Sequence, residues 1–254
     1  MIRLDIDLSI DPKEVSVIIK DFIKTYVKNS GCKSVVIGLS GGVDSAVVAL
    51  LCKDVLGKKY TKCVFLPDDT TPKLDFKHQE LLVKKFDLLC EKKDIAPIVQ
   101  QISRHCIVKP DRYALANIKA RARMILLFEY ANITKSLVCG TSNKSEILLG
   151  YFTKYGDGAE DIIPLGDLLK SQVKELARSL NIPQRIINKT PSAGLWSGQT
   201  DEGELGISYY QLDDILSRLE SKQRQIQSAG LVNKVKSRIR ASEHKRQLPQ
   251  ICEI

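Results

Sequence analysis

The sequence predicts an α/β fold, a doubly wound and mostly parallel sheet flanked by helices. Three observations carry that reading. Short β-type apolar runs alternate with helical stretches, as crossover helices in a parallel sheet require. A glycine-rich turn follows the first run and opens directly into a helix. The chain has 254 residues, of which 43% are hydrophobic and 27% charged, a length and balance suited to one well-filled domain over residues 1–254.

The predicted strands are Ser34 to Gly38, Lys62 to Leu66, Asp94 to Val99 and Ser136 to Cys139. Between the later ones the helical period is visible in Leu169, Val173, Leu176, Ala177 and Leu180, which share one helix face. Two long polar segments interrupt the pattern, Leu66 to Asp75 and Thr190 to Gly206. Segments of that length inside a compact domain are usually lids or binding loops, and Gly194, Gly198, Gly203 and Gly206 let the second one bend. Two helical stretches follow, Tyr209 to Glu220 and Ala229 to Ala241, and then a basic tail with Lys245 and Arg246.

The seven cysteines are scattered, odd in number and mostly set in apolar runs. They form neither a disulfide framework nor a zinc-ligand spacing, which predicts reduced thiols in a reducing compartment. Met1 to Ile10 alternates apolar and charged residues and lacks a leader pattern, and no apolar run reaches spanning length. A cytoplasmic protein without a membrane is expected. The net charge of +9 calls for an anionic partner, such as polyphosphate, nucleic acid or an anionic surface, and charge alone does not choose among them.

The run Val35-Val36-Ile37-Gly38-Leu39-Ser40-Gly41-Gly42-Val43-Asp44-Ser45-Ala46 reads as a buried strand, a turn and a helix start. Glycines let backbone N–H groups approach a phosphate, and the helix N-terminus adds its positive end. No Lys followed by Ser or Thr comes after the last glycine, as a Walker A loop needs, and Gly38, Gly41 and Gly42 do not make a dinucleotide fingerprint. Ser40 and Ser45 offer hydroxyl donors. Asp44 would repel phosphates unless Mg²⁺ lay between them, so it is the first candidate metal ligand. The alternative is an acidic residue merely suited to a first helical turn.

Asn117-Ile118-Lys119-Ala120-Arg121-Ala122-Arg123-Met124 lies in a helical stretch, where Asn117 and Arg121 share a face and Arg123 points elsewhere. A solvated basic face is the plain alternative. Gly140-Thr141-Ser142-Asn143-Lys144-Ser145-Glu146 follows an apolar strand and so occupies its C-terminal edge, where open α/β sheets place ligands.

Ser-Gly-Gly-Val-Asp-Ser resembles the pyrophosphate loop of the ATP pyrophosphatase family, whose members cleave ATP between the α and β phosphates. The run 140–146, then Gly150-Tyr151-Phe152-Thr153-Lys154-Tyr155-Gly156-Asp157-Gly158 and Asp161, narrows the resemblance to the ammonia-dependent NAD synthetases. It covers most of the chain from Asp21 onward and is weakest at 67–75, where no role is assigned.

The resemblance implies a Rossmann-like fold of the adenine nucleotide alpha hydrolase type. It also implies ATP-dependent amidation of deamido-NAD with ammonia through an acyl-adenylate, releasing AMP and pyrophosphate. ATP would be held by Gly38, Leu39, Ser40, Gly41, Gly42, Val43, Asp44, Ser45, Thr141, Lys170 and Ser192, and Mg²⁺ by Asp44 and Glu146. Deamido-NAD would be held by Arg121, Lys154, Asp161, His244 and Lys245, the last two reaching across from a partner subunit in a homodimer. Asp44, Lys170 and Asp157 are the expected catalytic residues, with Asp157 assisting ammonium binding or deprotonation.

Thr190 to Glu204 resembles the family's mobile loop, which closes over the reacting phosphates. No segment offers a nucleophilic Cys with a partnered His, so free ammonia is the expected nitrogen source. Two rivals stay open at this level. One is a tRNA-modifying pyrophosphatase, against which stands the lack of a cysteine pair and of an RNA-binding module. The other is a nucleotide- or nucleic-acid-binding module without turnover. No nucleic-acid partner is expected.

Overall fold

The computed structural model describes residues 8–221 and 229–253; most of the N-terminal alternation, residues 1–7, lies outside them. The chain enters with helix α1 (Pro12–Asn29), started by Asp11, whose carboxylate accepts from the N–H groups of Lys13 and Glu14. Strand β1 (Ser34–Gly38) is buried along Val35, Val36 and Ile37 and delivers the glycine turn to α2 (Val43–Leu56). Then come β2 (Thr61–Phe65), α3 (Lys73–Phe86), β3 (Leu89–Lys92), α4 (Ala96–Arg104), α5 (Arg112–Thr134) and β4 (Ser136–Val138). The sheet is entirely parallel, in the order β3-β2-β1-β4.

That order makes β1 the pivot. The chain winds from β1 through β2 to β3 on one side and places β4 on the other, so the crevice past the ends of β1 and β4 is a switch point where such sheets bind ligands. Helices α1, α2 and α3 pack on one face around Ile23, Leu51 and Leu82, and α4 and α5 cover the other through Ile95, Val99 and Ala122. The doubly wound parallel fold expected from the alternation is therefore observed.

One strand needs correction. Residues 94–99 form no strand. Asp94 Oδ1 accepts from Ala96 N at 2.8 Å, Pro97 stands in the first turn of α4, and Ile95, Ala96 and Val99 turn inward. Proline lacks the N–H that a strand ladder needs but suits a helical first turn. The third strand is instead Leu89-Cys90-Glu91-Lys92, a mostly exposed edge strand in register with Lys62 to Phe65.

After β4 come α6 (Lys144–Leu149), α7 (Lys170–Ser179), α8 (Gln184–Ile187), α9 (Asp201–Leu205), α10 (Tyr209–Glu220), α11 (Ala229–Ala241) and α12 (Glu243–Arg246). The apolar stripe foreseen around Leu176 is the buried face of α7 against α2. The last helices gather a further apolar cluster around Leu205, Leu212, Leu216 and Val235. All seven cysteines are free thiols. Among the described residues no helix is long and apolar enough to cross a membrane.

Candidate active site

The turn after β1 is shaped for an anion. Gly41 has φ +82°, and a Cβ there would stand 2.7 Å from the Asp75 carbonyl oxygen, so both conformation and packing demand glycine. Ser40 Oγ lies 3.1 Å from Ser45 Oγ and accepts from Gly42 N at 3.2 Å, which holds the turn in a tight hydroxyl-braced loop. Gly42, the N-cap of α2, has no side chain to satisfy the first amides of the helix. The helix therefore presents unsatisfied N–H groups and the positive end of its dipole to the crevice. Leu39 and Val43 are buried in the core, so what they can offer a ligand is backbone.

Gly41→Ala should cost about 1–2 kcal/mol from the left-handed backbone alone, with an added displacement of α3. Urea denaturation together with nucleotide titration checks this, the expected result being lowered stability and weakened ATP binding in the same variant.

Opposite this turn stands a cluster of buried charges. Lys170, 3% exposed at the start of α7, donates to Asp44 Oδ2 at 2.7 Å and to Glu146 Oε1 at 3.0 Å. Asn143, fully buried, caps α6 in a reciprocal box: its Oδ1 accepts from Glu146 N, and its own N–H donates to Glu146 Oε2. Its amide also donates to Asp44 Oδ1 at 3.0 Å, so one helix cap fixes both carboxylates.

Tyr209 adds its hydroxyl, 3.1 Å from Asp201 Oδ2 and 3.4 Å from Glu146 Oε1, and its ring lies beneath the Lys170 ammonium at 5.2 Å. Asp213, fully buried on α10, accepts from Ser145 Oγ at 2.6 Å and Ser171 N at 2.8 Å, while Ser145 Oγ accepts from Lys170 N. Helices α6 and α7 are thereby tied to one carboxylate.

The electrostatics follow from crowding. Burial opposes the charge on Lys170, but Asp44 and Glu146 overcome it and hold the ammonium protonated well above an ordinary lysine. Burial pushes Glu146 up to about 7; the Lys170 ammonium pulls against this and the Asp44 carboxylate adds to it. Burial likewise pushes Glu160 up to about 8, although Ser142 Oγ donates to it at 2.8 Å.

Three carboxyl groups, Asp44, Glu146 and Asp201, surround one ammonium. An oxygen-rich, anionic donor set suits a hard divalent cation. Among the described residues no three acidic, His or Cys groups are arranged to hold a metal by themselves. Two carboxylates completed by phosphate oxygens and water are, however, an ordinary complement for Mg²⁺, and the residues fit it on that footing.

Two adjoining cavities open here. The larger, about 270 Å³, runs from Gly38 to Ser40 past Thr141 and Asp157, and has an apolar wall of Val64, Phe65, Leu66, Met124 and Leu127. The smaller, about 150 Å³, is lined by Ser40, Asp44, Ser45, Glu146, Lys170 and Asp201. Thr141, Asp157, Ser192 and Ala193 border both. Asp157 Oδ1 accepts from Thr153 N at 2.9 Å. The phosphate turn, Thr141, Glu146, Asp157, Lys170 and Ser192, far apart in sequence, are thus brought together.

A second group gathers on the surface nearby. Asn117 and Arg121 do share a face: Asn117 accepts from Thr153 Oγ1, and Arg121 donates to the Lys154 carbonyl at 3.2 Å. Lys154 donates to the His244 carbonyl, and Lys245 donates to Gly150 O and Phe152 O, each at 2.8 Å. Gly150, with φ +62°, lets Ser242 pack where a Cβ would collide at 2.3 Å, which seats the C-terminal helix on this turn. Arg121, Lys154, His244 and Lys245 therefore meet, with the Lys245 ammonium engaged inside its own chain. Asp161 stands apart from them, its carboxylate accepting from Val138 N at 2.7 Å beside the sheet.

Several residues at the site escaped sequence reasoning. Arg123, not Arg121, lines the larger cavity, donating to Leu66 O at 2.9 Å. The unassigned 67–75 segment supplies Asp68, whose buried carboxylate pairs with Lys119 at 3.1 Å. Burial works against ionisation of Asp68, but the Thr70 hydroxyl, Arg123 and Lys119 outweigh it and hold the carboxyl below its usual range. Lys119 also donates to Thr70 Oγ1 and to the Leu195 carbonyl at 2.8 Å, and Trp196 meets Tyr113 edge-on at 5.6 Å. The 190–206 loop is docked on α5 by these contacts. Tyr209 and Asp213 had no signal beyond their places on a helix, and Asp201 none beyond its place in the 190–206 loop.

A parallel sheet with a braced phosphate turn at its switch point and a Lys–carboxylate cluster facing it defines a nucleotide-dependent enzyme of the pyrophosphate-loop class. The family model for NAD synthase matches residues 15–249, and the chain belongs to that family. The NH(3)-dependent NAD(+) synthetase of Archaeoglobus fulgidus is 42% identical over 235 residues, 92% of this chain and 94% of that one.

Among solved structures, the NMN synthetase of Francisella tularensis superposes with a TM-score of 0.89 at 36% identity, covering 97% of this chain and 100% of that one. The NH3-dependent NAD synthetase of Campylobacter jejuni superposes with a TM-score of 0.85 at 33% identity, covering 96% and 100%. The membership makes the chain a ligase of C–N bonds that uses ATP as co-substrate.

Proposed function

We propose that the enzyme amidates deamido-NAD with ammonia, using ATP to convert the nicotinate carboxylate to an acyl-adenylate. The observation that carries this reading is the pair of facing elements: the amide-rich turn of Ser40 to Ser45 on one side and Lys170 between Asp44 and Glu146 on the other.

In this reading the base of ATP lies along the apolar wall of the larger cavity, and its outer phosphates lie in the smaller one. The turn amides, the Ser40 and Ser45 hydroxyls, Thr141 and Ser192 bind the phosphates. Lys170 neutralises charge that builds on pyrophosphate as the substrate carboxylate attacks the α-phosphorus. Asp44 and Glu146 would hold Mg²⁺, which supplies Lewis-acid polarisation of the phosphoryl oxygens. Ammonia then attacks the acyl carbon and AMP leaves. Asp157, on the border of both cavities, is placed to orient ammonium or accept its proton.

Arg121, Lys154, His244 and Lys245 form the basic patch assigned to the dinucleotide; Asp161, assigned with them, lies apart, its carboxylate accepting from the Val138 N–H. A homodimer in which a second copy extends this patch, and a cytoplasmic location, belong to the same reading. The docked 190–206 loop would exclude water from the acyl-adenylate.

The likeness to the Francisella NMN synthetase supports a second choice of acid, nicotinate mononucleotide, with identical chemistry. One assay tests both. The enzyme is mixed with MgATP, ammonium and either acid, and the products are separated. NAD, AMP and pyrophosphate in equal amounts are expected from deamido-NAD; ADP in place of AMP would reject the mechanism. A higher kcat/KM for the mononucleotide would move the assignment to that acid.

A further inference from the structure

Residues 160–162 lie along β4, just outside the regular sheet. Gly140 N donates to Ile162 O at 2.8 Å, Asp161 N donates to Val138 O at 2.9 Å, and the Asp161 carboxylate accepts from Val138 N at 2.7 Å. Cys139 and Ile162 pair as parallel neighbours. Asp161 is thus tied to the sheet edge through backbone and side chain together, and Glu160, the residue before it, is held against Gly140. A Cβ on Gly140 would stand 2.3 Å from the Glu160 carboxyl carbon, so the glycine makes room for this side chain.

Glu160 borders the larger cavity and not the smaller. Of the other polar side chains confined to that cavity, Thr71 is engaged by Asp68, Asp75 by Lys189, and Arg123 by Leu66 O and Asp68. Glu160 keeps capacity: Oε1 accepts from Ser142 Oγ at 2.8 Å, while Oε2 has no donor among the described residues and stays accessible. Burial pushes the carboxyl up to about 8. Near neutral pH it is therefore mostly protonated, so it can donate as well as accept and does not repel a neighbouring triphosphate.

A nucleotide with its base on the apolar wall and its outer phosphates in the smaller cavity must put its sugar between them, beside Gly140 and Thr141. A ribose brings two vicinal hydroxyls to that place, and a hydroxyl buried without a partner is costly. In parallel sheets that bind dinucleotides, an acidic side chain takes the ribose 2′-hydroxyl.

We infer that Glu160 is a specificity residue of the nucleotide site, binding a hydroxyl of the ATP ribose and so selecting ribonucleotides over deoxyribonucleotides. The inference deepens the amidation reading, on which the placement of ATP rests, and adds a group that reads the sugar.

ATP, 2′-deoxy-ATP, 3′-deoxy-ATP and ITP are titrated calorimetrically into wild type, Glu160→Ala, Glu160→Asp and Glu160→Gln, with Mg²⁺ present and the acid substrate absent. Wild type is expected to bind at least one deoxy analogue about tenfold more weakly than ATP. Glu160→Ala loses that preference, its affinity for ATP falling to that for the analogue. Glu160→Asp, one methylene shorter, loses most of it and reads the same ratio should the Ala variant not fold. Glu160→Gln, which keeps a donor and an acceptor at the same reach, retains it.

Wild type that binds both deoxy analogues within about twofold of ATP would overturn the proposal, as would one that binds no ATP. Weaker binding of all four nucleotides by one common factor in the Ala variant would make Glu160 a structural prop and overturn it as well. A preference for ATP over ITP that vanishes in the Ala variant while the deoxy ratio stays would put the carboxyl at the base and reject the sugar assignment. No turnover is measured: a protein that discriminates as expected yet forms no NAD fails the amidation reading alone, and one that forms NAD without discriminating fails the proposal alone.

Discussion

Replacing Lys170 by Met should damage the enzyme twice, lowering kcat by about 10²–10³ and stability at pH 8 by about 3–5 kcal/mol. The catalytic loss follows from removing the only ammonium among the lining residues of the cavity that also face Asp44 and Glu146; Lys189, the other lysine there, pairs with Asp75. The loss of stability follows from what is left behind. Met fills the volume of Lys but leaves Asp44 and Glu146 without the charge that both contact, and breaking one side of a buried pair strands the other.

The pH dependence separates this account from a simple packing defect. Burial pushes Glu146 up to about 7 in the folded protein while Lys170 pulls its pKa down, so in the Met variant it should rise further. A carboxyl whose folded pKa lies above its unfolded value binds its proton more readily when folded. Its burden on stability is therefore present above the folded pKa and disappears as pH falls toward the unfolded value. Urea unfolding should show the Met variant recovering part of its deficit between pH 8 and pH 6. A deficit that stays constant over that range would point to lost packing instead.

What could be read from the sequence was contiguous, and what could not was long-range. The phosphate turn lies within one run of residues from Gly38 to Ser45, and its chemistry is set by local backbone conformation, as Gly41 illustrates. Helices α10 and α11 have the bounds that periodicity assigned, because each buries a continuous apolar face. Strand β3 was missed because Leu89-Cys90-Glu91-Lys92 lies on an edge and has little need of apolar residues, while the run just after it begins a helix at Ala96, with Pro97 in its first turn.

The charges of the site show the same division. Lys170 occupies a helix position that composition alone would put in water, and the packing of α7 against α2 and α10 buries it. Arg121 was assigned to the dinucleotide by resemblance, and that Arg123 lines the larger cavity depends on which face of α5 meets it, which period alone does not give. Asp68, Asp201 and Asp213 act through partners 51, 8 and 68 residues away, respectively Lys119, Tyr209 and Ser145.

Asp44→Ala should take activity further down than Lys170→Met, on the order of 10³ or more, while changing stability in the opposite direction as pH rises. Asp44 faces the phosphate turn from the first turn of α2 and is one of the two carboxylates proposed to hold Mg²⁺. Its loss removes a cation ligand and leaves the Asn143 amide without the acceptor it has at 3.0 Å. Yet Asp44 also raises the pKa of Glu146 by like-charge repulsion. Without it, Glu146 keeps Lys170 to itself and should ionise more easily. The excess of protons bound by the folded state between about pH 4.5 and 7 then shrinks, and with it the fall in stability that Glu146 imposes as pH rises through that range. The expected result is a nearly inactive protein whose melting temperature declines less than that of wild type between pH 5 and pH 8. An Ala variant that stays active, or one whose melting temperature falls as steeply as wild type, would remove Asp44 from the charge cluster on which the proposed chemistry depends.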